Sequence, residues 1–221
     1  AAMIDDPKLM LPPNDCFDIE GVDEERNLTR YNPIPANQGD QTIEAFITIP
    51  DLATANGVRA TMGLDPLTAP ANGWPVIIFQ HGITGEKENA AAIAGTFAVA
   101  GFATVAIDHP LHGRAFDVDN DGTDDIDASS ESGVTAYMNL SSLLTTRDNL
   151  RQSITDLIGL RLSLNYFQDA GATEELNGQD VHFVGHSLGA IAGTGFTALA
   201  NTSFGEDSPL AALDGQFSVQ A

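Results

Sequence analysis

The sequence predicts an α/β fold, a mostly parallel sheet with helices on its faces, and three observations carry that prediction. Trp74–Gln80 (WPVIIFQ) and residues 102–108 (FATVAID) are continuous apolar runs, the pattern of strands buried on both faces of a parallel sheet. The stretch between them has the length of a helix and stops at Gly101, a residue suited to end one. Strand, helix, strand in that order gives a right-handed crossover. Finally, Val181, Phe183 and Val184 lead into Gly185, His186, Ser187, Leu188 and Gly189, and then into the small residues Ala190, Ala192, Gly193 and Gly195. That is a buried strand, a tight turn, and a helix able to pack close to a sheet.

Taken in order, residues 1–40 are rich in Pro, Asn and Asp and read as irregular, an arm or the tail of a preceding domain, with one α/β domain over 41–221. Residues 42–50 alternate Ile43, Ala45, Ile47 and Ile49 against Thr42, Glu44, Phe46 and Thr48, which predicts a strand buried on its isoleucine face and closed by Pro50. Residues 51–73 carry Asn-Gly twice and two prolines and read as a connecting loop with a single helical turn. After the first central strand a helix is expected from about Gly85 to Gly101, with Ile93 and Phe97 inward. Residues 109–142 form a long connection. A helix then begins at a capping box, Thr145 facing Asp148, and Leu150, Ile154, Leu157, Ile158 and Leu162 mark its core face. Beyond Asn201 the chain turns polar, and residues 216–221 begin another strand.

The bulk composition narrows the function classes. With 221 residues, 43% of them hydrophobic, and 21 glycines, the chain can build one good-sized core. It carries 31 acidic against 9 basic residues, a net charge of −22, which repels phosphate backbones and anionic lipid heads and argues against a nucleic-acid partner. No run approaches a membrane span, and the first residues lack the basic start and apolar stretch of a signal peptide, which a processed N-terminus would lack as well. A single cysteine, Cys16, excludes an internal disulfide and a cysteine metal cluster.

Two motifs carry chemistry. Gly-x-Ser-x-Gly between strand and helix is the nucleophile elbow: the sharp turn strains the serine backbone, leaves no room for side chains at Gly185 and Gly189, and lifts the Ser187 hydroxyl above the sheet edge. Alone the pattern recurs by chance; its strand and helix give it meaning. The second motif, Gln80-His81-Gly82-Ile83, directly follows a central strand. Acyl transfer passes through an oxyanion that preorganised backbone N–H groups stabilise. Ile83 supplies one such N–H and Leu188, the residue after the nucleophile, the other, while Gly82 lets the backbone approach the substrate.

These segments resemble the α/β-hydrolases. FQHGITGEKENA, AIDHPLHG, TAYMNLSSLLTTRDNLRQS and VGHSLGAIAG resemble more closely the bacterial virulence-factor lipases, exported lipases and phospholipases, from about residue 74 to 201. The resemblance implies an α/β-hydrolase-type sheet, a secreted or cell-surface carboxylic ester hydrolase acting on acyl esters or lipids, Ser187 as nucleophile, and His81-Gly82-Ile83 as the oxyanion loop. It implies no required cofactor.

One departure from the pattern stands out. A serine needs a histidine to take its proton and a carboxylate to orient that histidine, in the order Ser, Asp or Glu, His. No histidine follows Ser187; the five are His81, His109, His112, His182 and His186. Either the base belongs to a C-terminal remainder of a larger hydrolase, the favoured reading, or an upstream histidine, His109 or His112, replaces it. His182 and His186 read as structural. A catalytically inactive hydrolase-fold binding module is the alternative function. Asp108, at a strand end, is expected to hold the loop that follows it by hydrogen bonds. The acidic run through Asp117, Asp119 and Asp121 matches D-x-D-x-D-G, and either wraps a structural calcium ion or is a solvated acidic loop.

Overall fold

In the computed structural model of the protein, residue 28 and residues 42–113, 126–166 and 176–220 are described. The acidic run with Asp117, Asp119 and Asp121, and all of the N-terminal arm except Leu28, lie outside them. The elements in chain order are β1 (Ala45–Thr48), α1 (Leu52–Thr61), β2 (Trp74–Gln80), α2 (Ala91–Ala100), β3 (Ala103–Ile107), α3 (Val134–Tyr137), α4 (Leu143–Leu164), β4 (Leu176–Gly185) and α5 (Leu188–Ala200). A 3₁₀ turn at Lys87–Ala90 leads into α2, and another lies at Ala211–Leu213.

The sheet has four strands in the order β1-β3-β2-β4. Strand β2 pairs in parallel with β3 on one side and β4 on the other, and β1 runs antiparallel along β3. The continuous apolar runs behave as expected: all five residues of β3 are buried, and six of seven in β2. Alternate residues serve the two faces. Val76, Ile78, Val105, Val181 and Phe183 meet Leu157, Leu160 and Leu164 of α4 and Ala192 and Phe196 of α5. On the opposite face Phe79 and Ala106 meet Ala90 and Ile93. Gln220 adds a parallel bridge to the outer edge of β4, where its N–H donates to Val181 C=O at 2.9 Å and its C=O accepts from Phe183 N–H at 2.8 Å. The strand expected near the C-terminus thus starts here. A mostly parallel mixed sheet with helices on both faces is the expected α/β architecture.

Helix α5 lies close to the sheet because small residues allow it. A Cβ placed on Gly193 would sit 2.0 Å from the Phe183 ring, and one on Gly195 would sit 2.6 Å from Ile154 Cδ1. Gly101 closes α2 in the left-handed conformation, φ 92°, as expected for a helix-ending glycine.

Other local expectations change. In β1 the isoleucine face is the open one: Ile43 is 47% and Ile47 38% exposed, while Phe46 packs with Phe79, Ala90 and Ala106. The helices on the isoleucine side lie over β2 and β4 and leave the edge strand uncovered. Residues 52–61 form a full ten-residue helix rather than a single turn. Asp51 caps it, accepting from Thr54 N–H at 2.8 Å, and Arg59 ties it to α2 by donating to Val99 C=O at 2.7 Å. Only Ala55 is buried, so no apolar period marks the helix, and its Asn56-Gly57 pair sits mid-helix rather than in a turn.

Helix α4 starts earlier than expected. Ser142 is its cap, and Thr145 is buried within the first turn. Asp148 is instead a buried anchor, bonded by Arg147 Nε at 2.7 Å, Arg151 Nη1 at 3.1 Å and Leu28 N–H at 3.1 Å. The most buried face of α4 includes the polar Asn149, Ser153 and Arg161 beside Leu157, Leu160 and Leu164, whereas Leu150, Ile154 and Ile158 pack at its margin. Among the described residues no helix is long and apolar enough to cross a membrane.

The close packing of α5 gives a direct test. Gly193→Ala should lower stability by about 1–3 kcal/mol, read as a reduced urea midpoint at unchanged slope, because the added Cβ overlaps the Phe183 ring, which itself packs on Phe196.

Candidate active site

Because β2, β3 and β4 are parallel, their C-terminal ends share one edge of the sheet, and the loops leaving them converge there. Backbone strain gathers at this edge. The non-glycine residues with positive φ among the described residues are Thr84 (58°) after β2, Leu111 (64°) after β3 and Ser187 (52°) after β4. Such conformations cost about 1–3 kcal/mol each and persist where the surroundings impose them. The surroundings here are one apolar cluster: Leu111, Leu188, Tyr137 and Ala128 are buried together, with Ile83 packed against them.

The turn between β4 and α5 is sharp and strained. Ser187, at φ 52° and ψ −115°, caps α5, and both it and His186 are exposed. A Cβ on Gly185 would lie 2.6 Å from Ala190 N, and one on Gly189 would lie 2.2 Å from the Gln80 carbonyl oxygen. Neither position accepts a side chain. The elbow is pinned to β2 by His186 N–H, which donates to Gln80 C=O at 2.9 Å. The loop after β2 comes up against it: a Cβ on Gly82 would be 3.0 Å from both Ser187 Cβ and His186 Nδ1. Gly82 therefore sets how near Ile83 comes to Ser187. Among the described residues, no backbone acceptor takes the N–H of Ile83 or of Leu188, the latter in the first turn of α5 where donors have no helical partner.

Beneath this loop lies a buried histidine cluster that sequence reading did not anticipate as a unit. The rings of His81 and His109 are 4.7 Å apart, and those of His81 and His112 are 5.2 Å apart. Carbonyl oxygens only accept, so the bonds fix the tautomers. His81 Nδ1–H donates to Gly82 C=O at 2.7 Å, leaving Nε2 to accept from His109 N–H at 3.0 Å. His109 Nε2–H donates to His81 C=O at 3.0 Å, so its Nδ1 accepts from the Ser153 hydroxyl at 2.9 Å. Ser153 in turn accepts from Tyr137 O–H at 2.7 Å. His112 Nδ1–H donates to Pro110 C=O at 2.8 Å, and among the described residues its buried Nε2 has no partner.

The cluster is electrically neutral. Burial pushes His81 down to about 4, aided by His112 and opposed by the bond to Gly82 and the carboxylates of Asp108 and Glu88. Burial, then the neighbouring histidines, hold His109 well below its ordinary value. Burial also lowers His112 and raises the Tyr137 hydroxyl, against the bond to Ser153.

His109 and His112 therefore pack with His81 and Tyr137, and neither hydrogen-bonds Ser187. His182 lies along β4 and pairs with Asp180 at 3.1 Å, away from the elbow end of the strand. Asp108 departs from expectation. It holds the loop after β2 rather than the one that follows it, accepting from Lys87 N–H at 2.6 Å and pairing with Lys87 Nζ at 2.9 Å. Gly113 does lie against the Asp108 carboxylate, where a Cβ would be only 2.0 Å away. The roles of Lys87, Tyr137 and Ser153 have no signature in sequence, since each is defined by a partner far along the chain. Among the described residues, no group of three His, Cys, Asp or Glu side chains is placed to hold a metal ion.

A scan against protein-family models finds no match, and a search of curated proteins finds none. Among solved structures the chain is similar to Est1E from Butyrivibrio proteoclasticus with ferulic acid bound, at 18% identity and a TM-score of 0.39. The match covers 71% of this chain and 43% of that one, so the chain spans less than half of that structure's length.

The neutral cluster sets a pH dependence. The folded-state value of His81 is depressed, so the unfolded chain binds the extra proton more readily. The stabilising contribution is complete above about pH 6.5 and is lost as pH falls towards about 4. The urea midpoint of the protein should fall across that window, and the fall should be shallower in His81→Gln. Equal slopes in the two proteins would contradict the neutral, buried assignment.

Proposed function

We propose that the protein is a serine carboxylic ester hydrolase, with Ser187 as nucleophile and the N–H groups of Ile83 and Leu188 as the oxyanion hole. One observation carries this reading: an exposed serine in a strained elbow stands against the glycine of the neighbouring loop, beside two backbone donors that no acceptor among the described residues takes. Nothing in a purely structural turn calls for that combination. The Ser187 oxygen would attack the ester carbonyl carbon and lose its proton to a base. The carbonyl oxygen would take the negative charge between the two amides, and the alcohol would leave with a proton. Water would then release the acid by the same steps.

The base is proposed to lie on a segment following the strand that Gln220 opens beside β4, because none of the five histidines hydrogen-bonds Ser187. Acyl esters or lipids as substrates, and a secreted or cell-surface setting, are proposed from the sequence resemblance to virulence-factor lipases. Calcium binding by Asp117, Asp119 and Asp121 is proposed from their spacing alone. The absence of a bonded histidine also favours one alternative, an inactive hydrolase-fold module that binds rather than cleaves.

A fluorophosphonate probe decides between the two. The folded protein should be labelled at Ser187, and Ser187→Ala should abolish labelling. A correctly folded protein that resists the probe supports the binding module.

A further inference from the structure

The histidine cluster has a geometric consequence for the oxyanion hole. A trans peptide unit is planar, so its C=O and N–H point in opposite directions. No cis peptide occurs among the described residues. The Gly82–Ile83 unit contains both the Gly82 carbonyl and the Ile83 N–H. That carbonyl is held from below by His81 Nδ1–H at 2.7 Å and by Gly85 N–H at 3.1 Å. Holding it there turns the Ile83 N–H the other way, out of the cluster.

His81 does not hold its own orientation. His109 grips it at two points: its backbone N–H donates to His81 Nε2, and its ring Nε2–H donates to the His81 carbonyl, both at 3.0 Å. The second bond fixes the preceding peptide unit, so two successive peptide planes of the loop are tied to one residue. The ring bond exists only in the tautomer protonated on Nε2. The His81 carbonyl, which can only accept, requires that tautomer, and the Ser153 hydroxyl complements it by donating to Nδ1 while Tyr137 orients Ser153. His81, His109, Ser153 and Tyr137 are all at least 98% buried, so water does not compete for these bonds.

We propose that His109 is a positioning residue for the oxyanion loop, acting through His81 to aim the Ile83 N–H at the carbonyl oxygen of an ester bound at Ser187. Ser153 and Tyr137, from α4 and α3, hold its ring by a bond to Nδ1. The proposal rests on the reading of Ser187 and Ile83 given above.

The test compares the second-order rate of fluorophosphonate labelling, and kcat and KM for a p-nitrophenyl ester, across variants of the protein that include the following segment proposed to carry the base. His109→Phe removes both side-chain bonds and should slow labelling by about a hundredfold, the scale of a lost oxyanion donor, with kcat falling and KM little changed. His109→Gln retains an N–H near the position of Nε2 and should recover to within about tenfold of the wild-type rate. Ser153→Ala, which leaves the ring but removes the donor to Nδ1, should fall between them. The proposal is overturned if folded His109→Phe labels at the wild-type rate, or if His109→Gln is as slow as His109→Phe. Should His109→Phe fail to fold by circular dichroism, Ser153→Ala decides, and wild-type labelling in that variant overturns it. Wild-type protein that is folded yet unlabelled removes the Ser187 reading and the positioning role together. Labelled wild type with unaffected variants removes the positioning role alone.

Discussion

A single steric constraint organises this molecule: the backbone at Ser187 is held at φ 52° and ψ −115° by a turn that tolerates a side chain on neither flank. Relaxing it would mean moving Gly185 away from the first turn of α5, or Gly189 away from the end of β2. Both are fixed by the sheet, through the pairing of Gln80 with Gly185 and the bond from His186 N–H to Gln80 C=O. The strain is therefore sustained by β2–β4 pairing and not by local sequence.

Much of the remaining architecture follows from keeping those two strands in register and the elbow helix close to them. Helix α5 has no charged residue over its thirteen positions and lays glycine and alanine against Phe183 and Ile154. Such a helix is stable only when covered, and β4 and α4 supply that cover. The loop after β2 is secured twice. Asp108 binds Lys87 from the end of β3, and the histidine cluster holds His81 and Gly82 from below. The two devices divide the work: an ion pair anchors the far side of the loop, and neutral hydrogen bonds orient the peptide units that face Ser187.

Neutrality matters for the cluster. A protonated His81 would present a donor at Nε2 to the His109 N–H, replacing an attraction by a donor–donor clash. Burial opposes that proton, which is why closely packed imidazoles serve here as fixed dipoles rather than as charges. The same burial removes His109 and His112 from the role of general base, a role open to them as long as only their position after a strand was considered. Among the described residues His112 keeps an unpartnered nitrogen, for which the structure offers no physical account.

The sheet, the crossover and the elbow were legible because each rests on a local signal: continuous apolar runs in β2 and β3, Gly101 closing α2, and glycine flanking Ser187. What was not legible depends on partners distant in the chain. Ile43 before β1 and Ile47 within it are exposed because, among the described residues, no helix covers that edge, and α1 forms on a cap and an arginine bridge without an apolar stripe. Asp148 is a buried anchor for two arginines and Leu28, a role that its place near a helix start disguised as capping. The residues of the two motifs, Ser187, Leu188, Gly82 and Ile83, lie close together in the structure. Its support, His109 with Ser153 and Tyr137, is spread over 44 residues of sequence, from the loop after β3 through α3 to α4, and has no motif at all.

The central claim, two amides converging on one oxygen above Ser187, is tested most directly by a crystal structure of the protein carrying a phosphonate bonded to that serine. The account expects the phosphoryl oxygen to lie about 2.7–3.1 Å from the nitrogens of both Ile83 and Leu188. A phosphoryl oxygen turned to solvent, or amides too far apart to share it, would contradict the account.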